Sequence, residues 1–377
     1  MEIKIAHCAD LHIGSQCCGI GNKGETRKHE IKNTFLKILD VCHREKVELL
    51  LIAGDLFDDV NLSSADVQDV KNALSKASFK VAISPGNHDP FTTDSPYASQ
   101  WPGNTVIFKN NKIECVELDD LKVRLWGFAF KGSYEKQNFL KNVQVEKSDS
   151  VIDICVMHGN ISSSDEDVYC PVKICDIEKS RMDYIALGHV HKRSDICRAG
   201  ETFYAYPGCP DGRGFDETGD KGFYIGTVSK GHCNLAFKKI CKRTYEVLNV
   251  DISNSETENE IIDLILEKTK EIYGESYREN LYKIILTGYV SEDFFVDVLR
   301  LETALNEKLF FAKVTDNTET EINEDKLKFR NDFKSIFIKK MLLKIENSKN
   351  EQEKTVNKNA LKTGLRAFCG DVKYYGD

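Results

Sequence analysis

Short apolar runs, separated by helical stretches and Gly/Pro/Asp-rich loops, fill the first 240 residues. Residues 3–8 read as a strand, and residues 49–53 form a continuous apolar run, as expected of a strand covered on both faces. Between them, residues 30–44 place Ile31, Phe35, Ile38, Leu39 and Cys42 on one helical face. Residues 81–83, 123–128, 152–157 and 184–187 follow as strands, with 203–206 and 223–228 after them. The pattern predicts an α/β region with at least one largely buried sheet.

The texture changes near residue 240. A strand at 245–252, a polar acidic loop at 253–259, a helix at 260–273, a strand at 283–287, a helix at 294–305 and a strand at 310–314 predict a small α+β domain. From about residue 320 strand signals are absent. Phe329, Phe333, Phe337, Met341 and Ile345 recur every four residues with Ile336 beside them, the mark of an amphipathic helix. The expected division is 1–240, 241–318 and 319–377, in keeping with roughly 150 residues per domain.

Composition narrows the classes. The 377 residues are 41% hydrophobic and 30% charged, an ordinary globular balance that excludes a disordered chain. A net charge of −8 excludes a simple polycationic nucleic-acid coat. The thirteen cysteines include no C-x-x-C pair and are scattered (Cys369 among them), which fits small reduced core residues rather than disulfides or a zinc knuckle. The N-terminus has no signal-peptide apolar region, and no run approaches the roughly 18–20 apolar residues of a membrane span. A cytoplasmic location without membrane contact is expected.

The metal-competent side chains sit where apolar runs end. Asp10 and His12 follow the first run, Gly54-Asp55 ends the second, and Gly86-Asn87-His88-Asp89 follows the third. His158 ends the run at 152–157, and Gly188-His189-Val190-His191 ends that at 184–187. Ligands gather at the carboxyl ends of strands in α/β sheets, so five termini can converge on one crevice. Residues two apart on extended backbone point to one side, which suits Asp10/His12 and His189/His191. Gly54, Gly86 and Gly188 permit positive φ and close backbone approach at the sharp turns. Mixed Asp, Asn and His donors suit manganese, iron or zinc, and two ions sharing a carboxylate can clamp a phosphoryl group and activate water. Any one of these residues alone reads as a core histidine, a helix cap or a turn.

Taken together and in order, these five segments resemble the calcineurin-like metallophosphoesterases over about the first 210 residues. The stretches 7–14, 54–58, 85–90 and 183–192, with Tyr206-Pro207-Gly208, are similar to the SbcD-type DNA repair exonucleases, and residues 212–222 to their YhaO-like branch. The resemblance implies two mixed β-sheets flanked by helices, with a small α+β capping domain and a C-terminal helical segment. It implies one ion held by Asp10, His12, Asp55 and His191 and a second by Asp55, Asn87, His158 and His189. Manganese is the family's usual ion, with iron, zinc or magnesium as alternatives. His88 is then the catalytic residue that orients the phosphate or protonates the leaving oxygen. Asp58 stands where other relatives carry a second catalytic histidine, which leaves it catalytic or supporting.

The implied activity is phosphodiester hydrolysis in DNA by a metal-activated water, 3′ to 5′ exonuclease with endonuclease activity. The implied partners are DNA, an SbcC-like coiled-coil ABC ATPase docked on the C-terminal helices, and a second copy in a homodimer. The alternatives are hydrolysis of phosphoproteins, cyclic nucleotides or other small phosphoesters, and a non-catalytic scaffold of an ATPase complex. His7 points away from the Asp10/His12 side, while His29, His43 and His232 match no motif. Asp59 and Asp89 read as turn caps or as partners of the histidines, Asn160 as a turn residue, and Arg213 as a solvated side chain or a phosphate contact. Residues 320–377 hold thirteen Lys and Arg against nine Asp and Glu, so the acidic excess lies in the first 319 residues. Two divalent ions add about four positive charges where phosphate binds. The acidic total is therefore compatible with a DNA substrate.

Overall fold

The computed structural model describes residues 1–59, 62–164, 166–322 and 324–368. The chain divides into two compact units, Met1–Tyr245 and Glu246–Asp377.

The first unit carries strands β1 (Glu2–Cys8), β2 (Leu49–Ile52), β3 (Lys80–Ile83), β4 (Thr105–Ile107), β5 (Glu114–Leu118), β6 (Val123–Gly127), β7 (Ile152–His158), β8 (Tyr184–Gly188), β9 (Cys197–Ala199), β10 (Thr202–Ala205), β11 (Gly222–Ser229) and β12 (His232–Lys239). Its helices are α1 (Gly24–Arg44), α2 (Ser64–Ser75) and α3 (Ile174–Ser180). The strands form two six-stranded mixed sheets, ordered β12-β11-β1-β2-β3-β4 and β5-β6-β7-β8-β10-β9. β1 to β4 run parallel, as do β6, β7, β8 and β10, with antiparallel strands at the flanks.

Alternation along each strand feeds two apolar layers. Leu49 and Leu51 join Ile3, Ile5, Ile154, Val156 and Ala186 between the sheets. Leu50 and Ile52 face outward onto Phe35 and Ile38 of α1 and Val70 and Leu74 of α2. On the far face, Cys155, Met157, Ile185 and Leu187 pack with Ile177 of α3. The architecture is thus the two mixed sheets flanked by helices that the motifs implied.

Several elements escape the apolar pattern. Helix α1 begins at Gly24, six residues ahead of the expected start, and the added stretch escapes the apolar pattern because it buries a charge, Arg27 at 0% exposed. The edge strand β12 has no continuous apolar run, and α2 buries only Val70 and Leu74. The described cysteines are all free thiols, while Cys369 lies outside the described residues.

The second unit contains β13 (Tyr245–Asp251), α4 (Glu258–Tyr273), β14 (Leu281–Thr287), β15 (Tyr289–Ser291), α5 (Val298–Lys308), β16 (Phe311–Asp316), β17 (Glu319–Glu321), α6 (Glu324–Phe329), α7 (Phe333–Glu346) and α8 (Glu351–Phe368). β14 and β16 pair in parallel, so α5 is the crossover that such a pair requires. α4 starts two residues early because Thr257 and Glu260 form a reciprocal capping box. β17 pairs with β15, a short strand where none was expected. The expected helix through residue 329 is broken: Asp332 caps α7, accepting from Ser335 N at 2.8 Å. Met341 is buried against Leu361 and Leu365 of α8, whereas Phe329 and Phe333 are 89% and 79% exposed. No helix among the described residues is long and apolar enough to cross a membrane.

Candidate metal centre

The carboxyl ends of β1, β2 and β3 meet those of β7 and β8. Hydrogen bonds stitch the turns together: Asp10 N donates to Gly54 O at 3.1 Å, and His12 N to Asp55 O at 2.9 Å. His88 N donates to Asp55 Oδ1 at 3.0 Å, and His189 N to Asp10 Oδ1 at 3.0 Å.

The turns hold the polar residues in unusual backbone states. Asp10, His12, Asp55 and His189 all take positive φ, at 54°, 47°, 50° and 98°. Such conformations cost on the order of 1–3 kcal/mol each and concentrate at functional sites. Positive φ is expected from the motifs at the glycines, yet only Gly54 of the three has it, at 86°. Gly188 serves close approach instead, since a Cβ there collides with Ala53 O. Convergence therefore arises from left-handed turns, not from the extended spacing of two.

Asp10, His12, Asp55 and His191 bring their ligand atoms within 4.8 Å of one another. His12 Nε2 lies 3.2 Å from His191 Nε2 and 3.6 Å from Asp55 Oδ2, and His191 Nε2 lies 3.9 Å from Asp10 Oδ1. Beside them, His158 Nε2 is 2.9 Å from Asn87 Oδ1 and 3.4 Å from Asp55 Oδ2. Asp55 thus borders both groups. The His189 ring stands edge-on to His158 at 5.2 Å between centroids, so the His189/His191 pair divides between the two groups.

The donor set fits divalent cations. His158 Nδ1 donates to Ala53 O at 3.0 Å, and His191 Nδ1 to Glu217 Oε1 at 2.6 Å. His12 Nδ1 lies 3.0 Å from Asp58 Oδ1, though off the straight hydrogen-bond line. Each Nδ1 faces an outer oxygen, which turns each Nε2 lone pair inward, the arrangement that prepares histidine for a metal. Ligand atoms about 2.1 Å from one ion lie roughly 3–4.2 Å apart, and the pairs measured above span 2.9–3.9 Å.

Burial and mutual charge polarise the groups. Burial raises the Asp10 carboxyl, whereas at Asp55 His158 and His12 outweigh burial and hold it low. Burial and then His158 press His189 down to about 4. Against burial, Glu217 raises His191, and that pairing holds Glu217 down at about 2.

The remaining candidates separate. His88 is exposed, and its Nδ1 donates to Asp58 O at 3.0 Å, with its ring edge-on to His12 at 4.7 Å. His7 is fully buried and faces Tyr184 Oη at 2.8 Å and Leu187 O at 3.2 Å, away from the ligands. Asp89 touches no histidine of the group: it accepts from Phe57 N at 3.0 Å, Gly86 N at 2.8 Å and Tyr97 Oη, tying two loops. Asp59 is exposed, and Asn160 donates to Asp167 at 2.7 Å within its loop. Arg213 does not lie free in solvent; 20% exposed, it pairs with Asp58 Oδ1 at 2.8 Å. Glu217 was missed as a histidine partner, although it sits in the glycine-rich segment already singled out.

Residues 3–193 match the family model for the Calcineurin-like phosphoesterase. The chain is 29% identical over 347 residues to the "Uncharacterized metallophosphoesterase YhaO" of Bacillus subtilis, covering 85% of this chain and 83% of that protein. It is 27% identical over 270 residues to the "DNA double-strand break repair protein Mre11" of Aeropyrum pernix, covering 67% of this chain and 64% of that one. A 94-residue stretch is 33% identical to one component of the SbcCD nuclease of Rhodobacter capsulatus, covering 23% of this chain and 22% of that one.

Proposed function

The chain belongs to the calcineurin-like phosphoesterase family, and from that premise we propose that it is a two-metal DNA nuclease of DNA repair, a 3′ to 5′ exonuclease with endonuclease activity. One ion is assigned to Asp10, His12, Asp55 and His191, and the other to Asp55, Asn87, His158 and His189, with manganese as the physiological metal. When bound, such a pair supplies Lewis-acid polarisation of a phosphoryl oxygen and a water activated near neutral pH.

The observation that carries the reading is the inward turn of the histidine Nε2 atoms around Asp55, which borders both groups. The chain's own residues do the rest. A carbonyl only accepts, so the bond to Asp58 O makes His88 Nδ1 the protonated nitrogen and leaves Nε2 for the substrate. Protonated, Nε2 donates to the leaving oxygen; neutral, it accepts a proton back. His88 is exposed, so a polymer end can reach it.

The DNA assignment rests on relatives named for double-strand break repair and for an SbcCD nuclease. In this reading residues 1–240 perform the chemistry, residues 241–318 cap the site, and residues 319–377 dock a coiled-coil ATPase. A homodimer supplies further grip on DNA.

The purified chain with Mn²⁺ should degrade linear single- or double-stranded DNA. His88→Ala should bind metal yet lose about 10²–10⁴-fold in turnover. Inactivity on all DNA forms, together with hydrolysis of a cyclic dinucleotide or a phosphopeptide, would replace the nuclease reading with the small-phosphoester one.

A further inference from the structure

The two groups of ligands are supported by different means. His158 is oriented by a main-chain carbonyl, Ala53 O, at the end of β2. His12 and His191 have no such backbone partner at Nδ1. They face two carboxylates, Asp58 Oδ1 at 3.0 Å and Glu217 Oε1 at 2.6 Å. One guanidinium joins those carboxylates: Arg213 Nη1 reaches Asp58 Oδ1 at 2.8 Å, and Nη2 lies 3.5 Å from Glu217 Oε1.

Arg213 and Glu217 ride on the glycine-rich segment that joins β10 to β11, and the segment is itself held firmly. Arg27, 0% exposed on α1, donates to Asp211 and, at 2.9 Å, to Gly212 O. Arg213 N donates to Glu217 Oε2 at 2.7 Å, closing the loop on its own carboxylate. Asp58 and Glu217 would repel each other without the cation between them, and a planar fork meets two carboxylates where an ammonium meets one.

We propose that Arg213, Asp58 and Glu217 form an ionic clamp that sets the orientation of His12 and His191, so that one of the two cation positions depends on the loop while the other, where His158 is held by Ala53 O, does not. All three are positioning residues. The proposal rests on the two-metal reading above and adds an asymmetry to it. The cation is a divalent transition metal such as manganese, and the clamp controls its occupancy, not the identity of the substrate.

The test is calorimetric titration of Mn²⁺ alone, without substrate, into the metal-stripped full chain and its variants, with thermal unfolding of each. The wild type should take up two ions. Glu217→Gln and Arg213→Met should weaken one of them about 10–100-fold, the usual effect of losing a ligand's outer partner, and leave the other unchanged. Arg213→Lys should recover only part of the loss. If Glu217→Gln fails to fold, Asp58→Asn carries the measurement, because the Asp58 side chain is more exposed, at 27%. Two ions bound by the variants as tightly as by the wild type, or both ions weakened equally, would overturn the clamp alone. A wild type that takes up no Mn²⁺ would overturn the metal reading itself, and the clamp with it.

Discussion

The two units place charge in opposite ways. In the first, ionisable side chains lie in the interior: His7, Asp10, His12, Arg27, Asp55, Asp89, His158 and Asp211 are all at most 4% exposed. In the second, the buried polar residues among those described are Thr269, Asn280, Thr318 and Ser335, none of them ionisable. Its charges tie elements together nearer the surface, although the Asp316 side chain is itself only 7% exposed. Lys358 meets Glu319, and Lys362 and Arg366 meet Asp316, along one face of α8. Burying an ion costs several kcal/mol unless partners compensate, so a fold that buries many is retaining them for another purpose. The second unit shows the converse feature, large aromatic rings left in water at Phe329 and Phe333. The first region thus concentrates ionisable groups in its interior, and the second leaves aromatic surface exposed.

The sharpest way to break this contrast is to remove a buried charge that is not a ligand. Arg27→Met leaves Asp211 buried without its cation, and breaking such a pair costs about 3–5 kcal/mol. Urea unfolding should report a loss of that size. A change below about 1 kcal/mol, the value of surface pairs, would mean that the interior network is no stronger than the pairs along α8.

A smaller, pH-dependent effect is expected from His7. Burial lowers it from its ordinary 6.5 to about 3. As pH falls below 6.5 the unfolded chain takes the proton first, so the contribution of neutral His7 is intact above that value and is lost towards pH 3. The slope is about 1.4 kcal/mol per pH unit for one proton. His7→Gln should flatten the stability curve between pH 6.5 and 4 relative to wild type. An unchanged slope would show that His7 is not held neutral. The smallest effect belongs to the second unit: Phe329→Ser should move stability by no more than about 0.5 kcal/mol, because the ring buries almost nothing. A larger loss in urea unfolding would place that ring inside the fold.

Much of the candidate centre was legible because its parts are local. Each of Asp10, Asp55, Asn87, His158 and His189 lies within a few residues of the apolar run that delivers it, and run plus polar terminus is a pattern visible in one dimension. The partners were illegible for the opposite reason. Glu217 meets His191 across 26 residues, Arg213 meets Asp58 across 155, and Arg27 meets Asp211 across 184. Nothing near Arg27 in the chain announces that it is buried, and its charge disguised the start of α1. The strand β12 was missed because an edge strand exposes one face and so loses its apolar run.

The amino-acid order by itself determined the strands that deliver the centre, which residues end them, and that those termini carry metal-competent side chains. Periodicity and turn chemistry are properties of neighbours, so they survive in the sequence. Only the tertiary structure decided that Asp10, His12, Asp55 and His189 converge through left-handed backbone, and that an arginine on a distant loop binds the carboxylates behind His12 and His191. Those outcomes depend on which sheet faces which, and on a backbone geometry that packing imposes against local preference.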